Sequence, residues 1–67
     1  MNKLDKYQTT FLKSNINNMI EGLKELEQCI TNSEETVNNT KVLSRQTNRL
    51  LKTCMNNIAQ SLNGMGK

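Results

Sequence analysis

The sequence predicts an all-α fold, an antiparallel hairpin of two long helices that assembles into a helical bundle. Apolar residues recur at helical spacing in two blocks, and a polar segment rich in helix-capping residues separates the blocks. None of the 67 residues is Pro, which argues against a turn-rich β fold. The alternative is a single long coiled-coil helix, because the heptad register passes formally through the polar segment.

The first predicted helix runs from about residue 3 to about 31. Its apolar residues follow alternating spacings of four and three, which is typical of a coiled-coil stripe. The stripe consists of Leu12, Ile16, Met19, Leu23, Leu26 and Ile30. Gly22 lies within this helix and indicates either close approach of a second helix or simple tolerance of glycine.

A cap-rich turn is predicted at about residues 32–40. Asn32 with Glu35, and Thr31 with Glu34, each have the spacing of a capping box at a helix N-terminus. Either pair is therefore a candidate start for the second helix.

Pairing of the two apolar blocks favours the hairpin over the rod. An antiparallel arrangement that matches Ile30 with Leu43 also matches Leu23 with Leu50, so that apolar rows face each other. This register centres the turn at 36–37.

The second predicted helix spans about residues 41–63, followed by a C-terminal tail at 64–67, within a single helical domain covering 1–67. Its apolar stripe is shifted in phase from the first. The stripe consists of Leu43, Leu50, Leu51, Cys54, Ile58 and Leu62. Beside the stripes of both helices lie further apolar residues, which favours helices that contact more than one neighbour. These are Ile20, Val42 and Met55.

Composition argues against an enzyme. The chain has no His, no CxxC pair, no nucleophile–base constellation and no glycine-rich phosphate loop, so we expect no catalytic site, no metal, no cofactor and no small-molecule substrate. No apolar run is long enough to span a membrane, and the first residues do not resemble an export signal. The two isolated cysteines, Cys29 and Cys54, are expected to be free thiols in a reducing compartment. The predicted location is the cytoplasm, with the nucleus left open.

The small supply of core side chains predicts that other helices complete the fold. Only 34% of the residues are hydrophobic, and the aromatic residues are one Tyr and one Phe. A chain of this size rarely builds a sufficient core alone. The two apolar stripes together are therefore the predicted partner interface. We expect a scaffold subunit bound to other helical subunits, and a hetero-oligomer is favoured over a homodimer.

A basic face on the second helix supports an alternative function. Lys41, Arg45, Arg49 and Lys52 follow one another at spacings of four, four and three, so they share one side of a helix. Such a ridge is a candidate phosphate-binding surface of a small nucleic-acid-binding or regulatory dimer. It is equally a solvated face, or one that pairs with acidic residues of the first helix. A third interpretation is a small chaperone or inhibitor that wraps one client protein.

The segment 47–52, Thr-Asn-Arg-Leu-Leu-Lys, followed by Met55 and Ile58, resembles the closing helix of small coiled-coil subunits. A similar Thr-x-x-Leu-Leu run precedes the signature of the KxDL family of lysosome-related organelle adaptor subunits, although here the signature is replaced by the sequence of 54–58. The order of Thr40, 47–52 and 58–60 is also similar to small subunits of the fungal DASH kinetochore ring. The resemblance covers about a third of the chain. It implies a scaffold subunit that assembles with other helices, and it transfers no functional residue.

Overall fold

The first helix begins at a complete capping box. In the computed structural model, which describes residues 3–32 and 34–65, Asp5 is the N-cap of helix α1, Lys6–Thr31. The Asp5 carboxylate accepts a hydrogen bond from the Gln8 backbone N–H at 2.8 Å, and the Gln8 side chain accepts one from the Asp5 N–H at 2.9 Å. Because this reciprocal pair satisfies two backbone donors, the helix starts at Lys6 and not at about residue 3.

The connection between the helices is shorter than the sequence predicts, because α1 ends at Thr31 and α2 begins at Val37. Asn32 is the C-cap of α1, and its side-chain oxygen accepts a hydrogen bond from the Glu34 N–H at 3.0 Å. The Thr36 hydroxyl accepts a hydrogen bond from the Asn39 N–H at 3.1 Å. Thr36 therefore caps the second helix, α2, which runs Val37–Met65.

Neither predicted capping box forms. Thr31 remains in the last turn of α1, where its hydroxyl donates to the Glu27 carbonyl, and Asn32 ends that helix. Helix α2 consequently begins at Val37 rather than at about residue 41. It continues to Met65, which includes Gly64 of the predicted tail, while residues 66–67 lie outside the described part of the chain.

The two helices lie side by side in opposite directions. Asn15 contacts Asn57, Gly22 contacts Leu50, and Cys29 near the turn contacts Thr40. The result is a hairpin with extents of 51 × 16 × 13 Å. The prediction of an all-α antiparallel hairpin is confirmed, and the alternative of one continuous helix is wrong.

The strip along which the helices contact each other, the seam, follows a strict heptad spacing on both helices. Its residues are buried or half-buried. On α1 they are Gln8, Leu12, Asn15, Met19, Gly22, Leu26 and Cys29, and on α2 they are Thr40, Leu43, Thr47, Leu50, Cys54, Asn57 and Ser61. Small and polar side chains thus alternate with large apolar ones along α1.

Gly22 brings the helices close together. A methyl group placed on its Cα would lie 2.7 Å from Cδ2 of Leu50, closer than carbon atoms normally approach. The observed register therefore sets Leu50 against Gly22, one residue from the predicted pairing with Leu23. This shift also sets Asn15 rather than Ile16 in the seam.

The interior of the hairpin is thin. Among the described residues, the buried apolar side chains are those of Leu12 and Cys54, and the buried polar ones are those of Asn15 and Thr47. Thr47 donates its hydroxyl hydrogen to the Leu43 carbonyl at 2.8 Å, so its burial leaves no unpaired group. A core of this size provides little stabilisation by itself.

Candidate interaction surface

The residues of the predicted partner interface divide between the seam and the outer surface of the hairpin. Leu12, Met19, Leu26, Leu43, Leu50 and Cys54 lie in the seam. Leu51 and Ile58 are half-buried beside it. The side chains of Ile16, Leu23, Ile30 and Leu62 are 45–65% exposed. The predicted stripes are therefore used in part to hold the two helices together, and in part remain available to a partner.

Two shallow grooves cross from α1 to α2 on one side of the hairpin. The groove next to the turn has a volume of about 550 Å³ and is lined by Ile30 of α1 together with Val37 and Ser44 of α2. The neighbouring groove, about 310 Å³, lies between Leu23 of α1 and Leu51 of α2. Residues seven apart share one side of a helix, so Leu23 and Ile30 place both grooves on the same side.

Helical periodicity extends this side along the whole hairpin and makes it predominantly apolar. We call it the apolar face. It consists of Ile16, Ile20, Leu23 and Ile30 on α1, and of Val37, Leu51, Met55, Ile58 and Leu62 on α2. Seven of these nine side chains are 43–73% exposed, and Leu51 and Ile58 are half-buried. Exposed apolar side chains gathered on one side of a protein are typical of an interaction site.

The opposite side of the hairpin is mainly polar. By the same periodicity it carries Asn18, Glu25 and Gln28 on α1 and Gln46, Thr53 and Gln60 on α2. Val42 is an exposed apolar residue on that side. The two aromatic residues are separate from the apolar face, in a groove along the first turns of α1 where Tyr7 is 88% exposed and Phe11 is half-exposed. Tyr7 is in phase with Gln28 and Phe11 with Asn18, so the opposite side is polar apart from these two aromatic residues and Val42.

The predicted basic face lies on the outward side of α2. Lys41, Arg45, Arg49 and Lys52 are all exposed. Lys41 and Arg45 line the groove next to the turn, and Arg45 also lines the neighbouring groove. These two cations thus border the apolar face rather than forming a separate surface. Nucleic-acid binding by the ridge stays a prediction, as does the wrapping of a client protein.

Sequence reasoning missed the two asparagines of the seam. The Asn57 side-chain amide donates to the Asn15 side-chain oxygen at 3.1 Å, and Asn15 donates to the Phe11 carbonyl at 2.9 Å. A signal was present in the sequence, because Gln8, Asn15, Gly22 and Cys29 repeat every seven residues in phase with Leu12, Met19 and Leu26. Ranking positions by apolarity alone hides this repeat.

The two thiols are free and cannot reach each other within one chain. Cys29 is near the turn, with its sulfur 3.4 Å from the Thr40 hydroxyl oxygen, whereas Cys54 is buried in the middle of the seam. At the helical rise, Cys54 lies about 20 Å beyond Thr40 along α2. A disulfide needs Cα atoms within roughly 7 Å, so the hairpin geometry excludes an internal bridge.

Within the described residues, no cluster of three or more His, Cys, Asp or Glu side chains is arranged to hold a metal ion. Neither helix, over the same residues, is long and apolar enough to cross a membrane. Comparison with models of known protein families, with curated proteins and with solved structures finds no match for this chain. The resemblance to the KxDL and DASH subunits therefore stays a prediction.

Proposed function

We propose that this chain is a non-enzymatic subunit of a helical assembly, and that it works by docking helices of other subunits onto its apolar face. The observation that carries the proposal is a contrast in burial. Seven large apolar side chains on one side are 43–73% exposed, whereas the described part of the hairpin buries only Leu12 and Cys54 as apolar side chains. Much of the apolar surface of the chain is thus outside its own core.

The free energy available from this face is large relative to the stability of so short a hairpin. Full burial of a Leu, Ile, Val or Met side chain contributes about 1.5–3 kcal/mol, so covering a half-exposed one recovers roughly 1 kcal/mol. Summed over the apolar face, docking would contribute as much as the small core itself. A partner helix would therefore stabilise the fold at the same time as it assembles the complex.

The proposal extends to where the protein is located, in the cytoplasm, and to its class, a small coiled-coil subunit. Two free thiols that cannot bridge within the chain are suited to a reducing compartment such as the cytoplasm. A scaffold role among small coiled-coil subunits agrees with the class that the resemblance implies. The functional residues under this proposal are apolar side chains that pack against a partner, so we assign no catalytic residue.

The test compares two exposed apolar residues on opposite sides of the hairpin. Leu23, on the apolar face, is 47% exposed, and Val42, on the polar side, is 48% exposed. The tagged full chain, Leu23→Asp and Val42→Asp are expressed in the native cells, and the native mass of each assembly is measured by light scattering after affinity purification. We expect wild type and Val42→Asp to remain in the assembly and Leu23→Asp to lose it, because an unpaired carboxylate would be buried in the contact.

Far-UV circular dichroism of the purified chains is the control for folding. Both replaced side chains are about half-exposed, so helix content should change little in either variant. A cooperatively folded monomer of 7.7 kDa for all three chains would refute the proposed function. So would loss of the assembly by Val42→Asp to the same extent as by Leu23→Asp.

A further inference from the structure

We infer that the occupant of the apolar face is an amphipathic helix of a different protein whose apolar stripe is bordered by carboxylates. This inference rests on the proposed function and adds the chemistry of the partner. It is carried by the charges that border the face. Lys41 and Arg45 line the groove next to the turn, together with Ile30 and Val37.

The border on α2 is basic in the first half of the helix, from Lys41 to Lys52. Arg45 also lines the neighbouring groove beside Leu23 and Leu51. Lys52 lies three helical turns beyond Lys41 on the same side of α2 and is exposed. Three cations therefore follow one edge of the apolar face.

The border on α1 is also more basic than acidic. By helical periodicity, the outer edge of α1 carries two cations, Lys13 and Lys24. Among the residues that the structure describes in α1, this edge carries one carboxylate, that of Glu27. Glu25 is on the polar side of the hairpin. At the turn, Glu35 lines the end of a groove, but its carboxylate accepts hydrogen bonds from the side chains of Asn39 and Cys29 and is thus engaged within the chain.

This charge distribution opposes a second copy as the occupant. If two hairpins pack apolar face to apolar face, the edge with Lys41, Arg45 and Lys52 meets either the same edge or the edge with Lys13 and Lys24. Like charges across an interface disfavour that pairing, whereas carboxylates in the same places favour it. A helix with acidic borders therefore complements both edges.

The composition of the face also favours a protein over an anionic lipid surface. Helices that insert into membrane interfaces usually place aromatic side chains on the apolar side, but Tyr7 and Phe11 lie in a groove elsewhere. Ser44 lines both grooves and Asn48 lines one of them. These polar groups would lose hydrogen bonds in an acyl layer, while a partner helix can supply donors and acceptors.

The experiment uses three synthetic helical peptides of about 21 residues, long enough to span most of the groove side. All have the same Leu stripe, and their border positions are Glu, Gln or Lys. Fluorescence anisotropy measures their binding to the full chain at ~50 mM salt. We expect the Glu-bordered peptide to bind at least about tenfold more tightly than the Gln-bordered one, and the Lys-bordered peptide to bind most weakly.

A charge-reversal variant assigns the preference to the border. Lys41→Glu/Arg45→Glu should remove the preference for the Glu-bordered peptide, because Lys52, Lys13 and Lys24 are then offset by Glu27 and the two new carboxylates. Arg49→Glu is the control, because Arg49 lies seven residues after Val42 on the polar side of the hairpin, and it should keep the wild-type order. Far-UV circular dichroism checks that both variants remain helical.

The outcomes separate this inference from the proposed function. The inference would be overturned if the Glu- and Gln-bordered peptides bind equally well and the border variant does not change their binding. If Leu23→Asp nevertheless abolishes that binding, the proposed function remains intact. No binding of any peptide, together with a monomeric native form, would overturn both. Two further results would overturn the inference: a stable dimer of the chain that the peptides do not compete with, or tighter binding to vesicles of about 30% phosphatidylserine than to any peptide.

Discussion

At the scale of single residues, the hydrogen bond between Asn57 and Asn15 stands out because it lies inside a seam with very few buried groups. A polar pair in such a position contributes less to stability than an apolar pair, but it disfavours registers in which either amide would be unpaired. The described part of the chain has no buried side-chain nitrogen or oxygen without a partner. Asn15 and Asn57 thus help to specify how the two helices are aligned.

This role predicts a measurable coupling between the two asparagines. Asn57→Ala removes the donor to a buried amide oxygen of Asn15 and should lower the free energy of unfolding by about 1–2 kcal/mol. In a double-mutant cycle with Asn15→Ala, measured by urea unfolding, we expect a coupling of about 0.5–2 kcal/mol.

The adjacent residue provides the control for this cycle. Asn56 is exposed and outside the seam, so Asn56→Ala should change stability by less than about 0.5 kcal/mol. Strictly additive effects of Asn15→Ala and Asn57→Ala would contradict a pairwise role for the hydrogen bond.

At the scale of helices and turns, the existence of both helices follows from the sequence, while their ends do not. The periodic spacing of apolar residues is enough to predict two helices. Thr31, Asn32 and Thr36 are all good capping residues, however, and local sequence does not distinguish among them. The choice depends on where α1 stops contacting α2, which is a property of the folded hairpin.

The caps predict opposite effects for two threonines that flank the turn. Thr36→Ala removes the hydroxyl that accepts from the Asn39 N–H, and it should lower the free energy of unfolding by about 1 kcal/mol. Thr31→Ala replaces a residue within α1 by a better helix former, so stability should be unchanged or higher by up to ~0.5 kcal/mol. Thermal unfolding followed at the helical far-UV signal compares the two variants. The reverse order would mean that Thr36 is not the N-cap of α2.

The composition of the seam has a similar explanation. Ile16, Leu23 and Ile30 are more apolar than Asn15, Gly22 and Cys29, and sequence reasoning places them in the contact. The hairpin does the opposite, because small side chains allow the helices to approach closely, as at Gly22. Whether a close or a wide spacing is favoured depends on the sum of contacts along both helices, which periodicity alone does not reveal.

At the scale of the whole molecule, the apolar residues of the hairpin divide into two groups. Those in the seam hold the two helices together, and those on the apolar face are exposed to a partner. The seam and the apolar face run parallel along the length of the chain. Truncation of a leucine in one strip should therefore have a different consequence from truncation of a leucine in the other.

Leu12 and Leu23 test this separation. Leu12→Ala, at 8% exposure, creates a cavity in a core of few residues and should cost about 2–5 kcal/mol, enough to unfold much of the isolated chain. Leu23→Ala, on the apolar face, should cost the isolated chain less than about 1 kcal/mol while weakening the assembly. Urea unfolding of the free chain and the native mass measurement are compared for both variants. If Leu12→Ala and Leu23→Ala destabilise the free chain equally, the Leu23 side chain is already buried in the free chain and is not presented to a partner.

The position of Tyr7 has a consequence for spectroscopy. The phenol ring is almost fully exposed and the chain has no tryptophan, so the aromatic chromophores sense little of the asymmetric environment that an interior provides. The folded hairpin should give a strong helical far-UV spectrum together with a nearly featureless near-UV spectrum. That combination is elsewhere a criterion for a molten globule, and for this protein it would describe the native state.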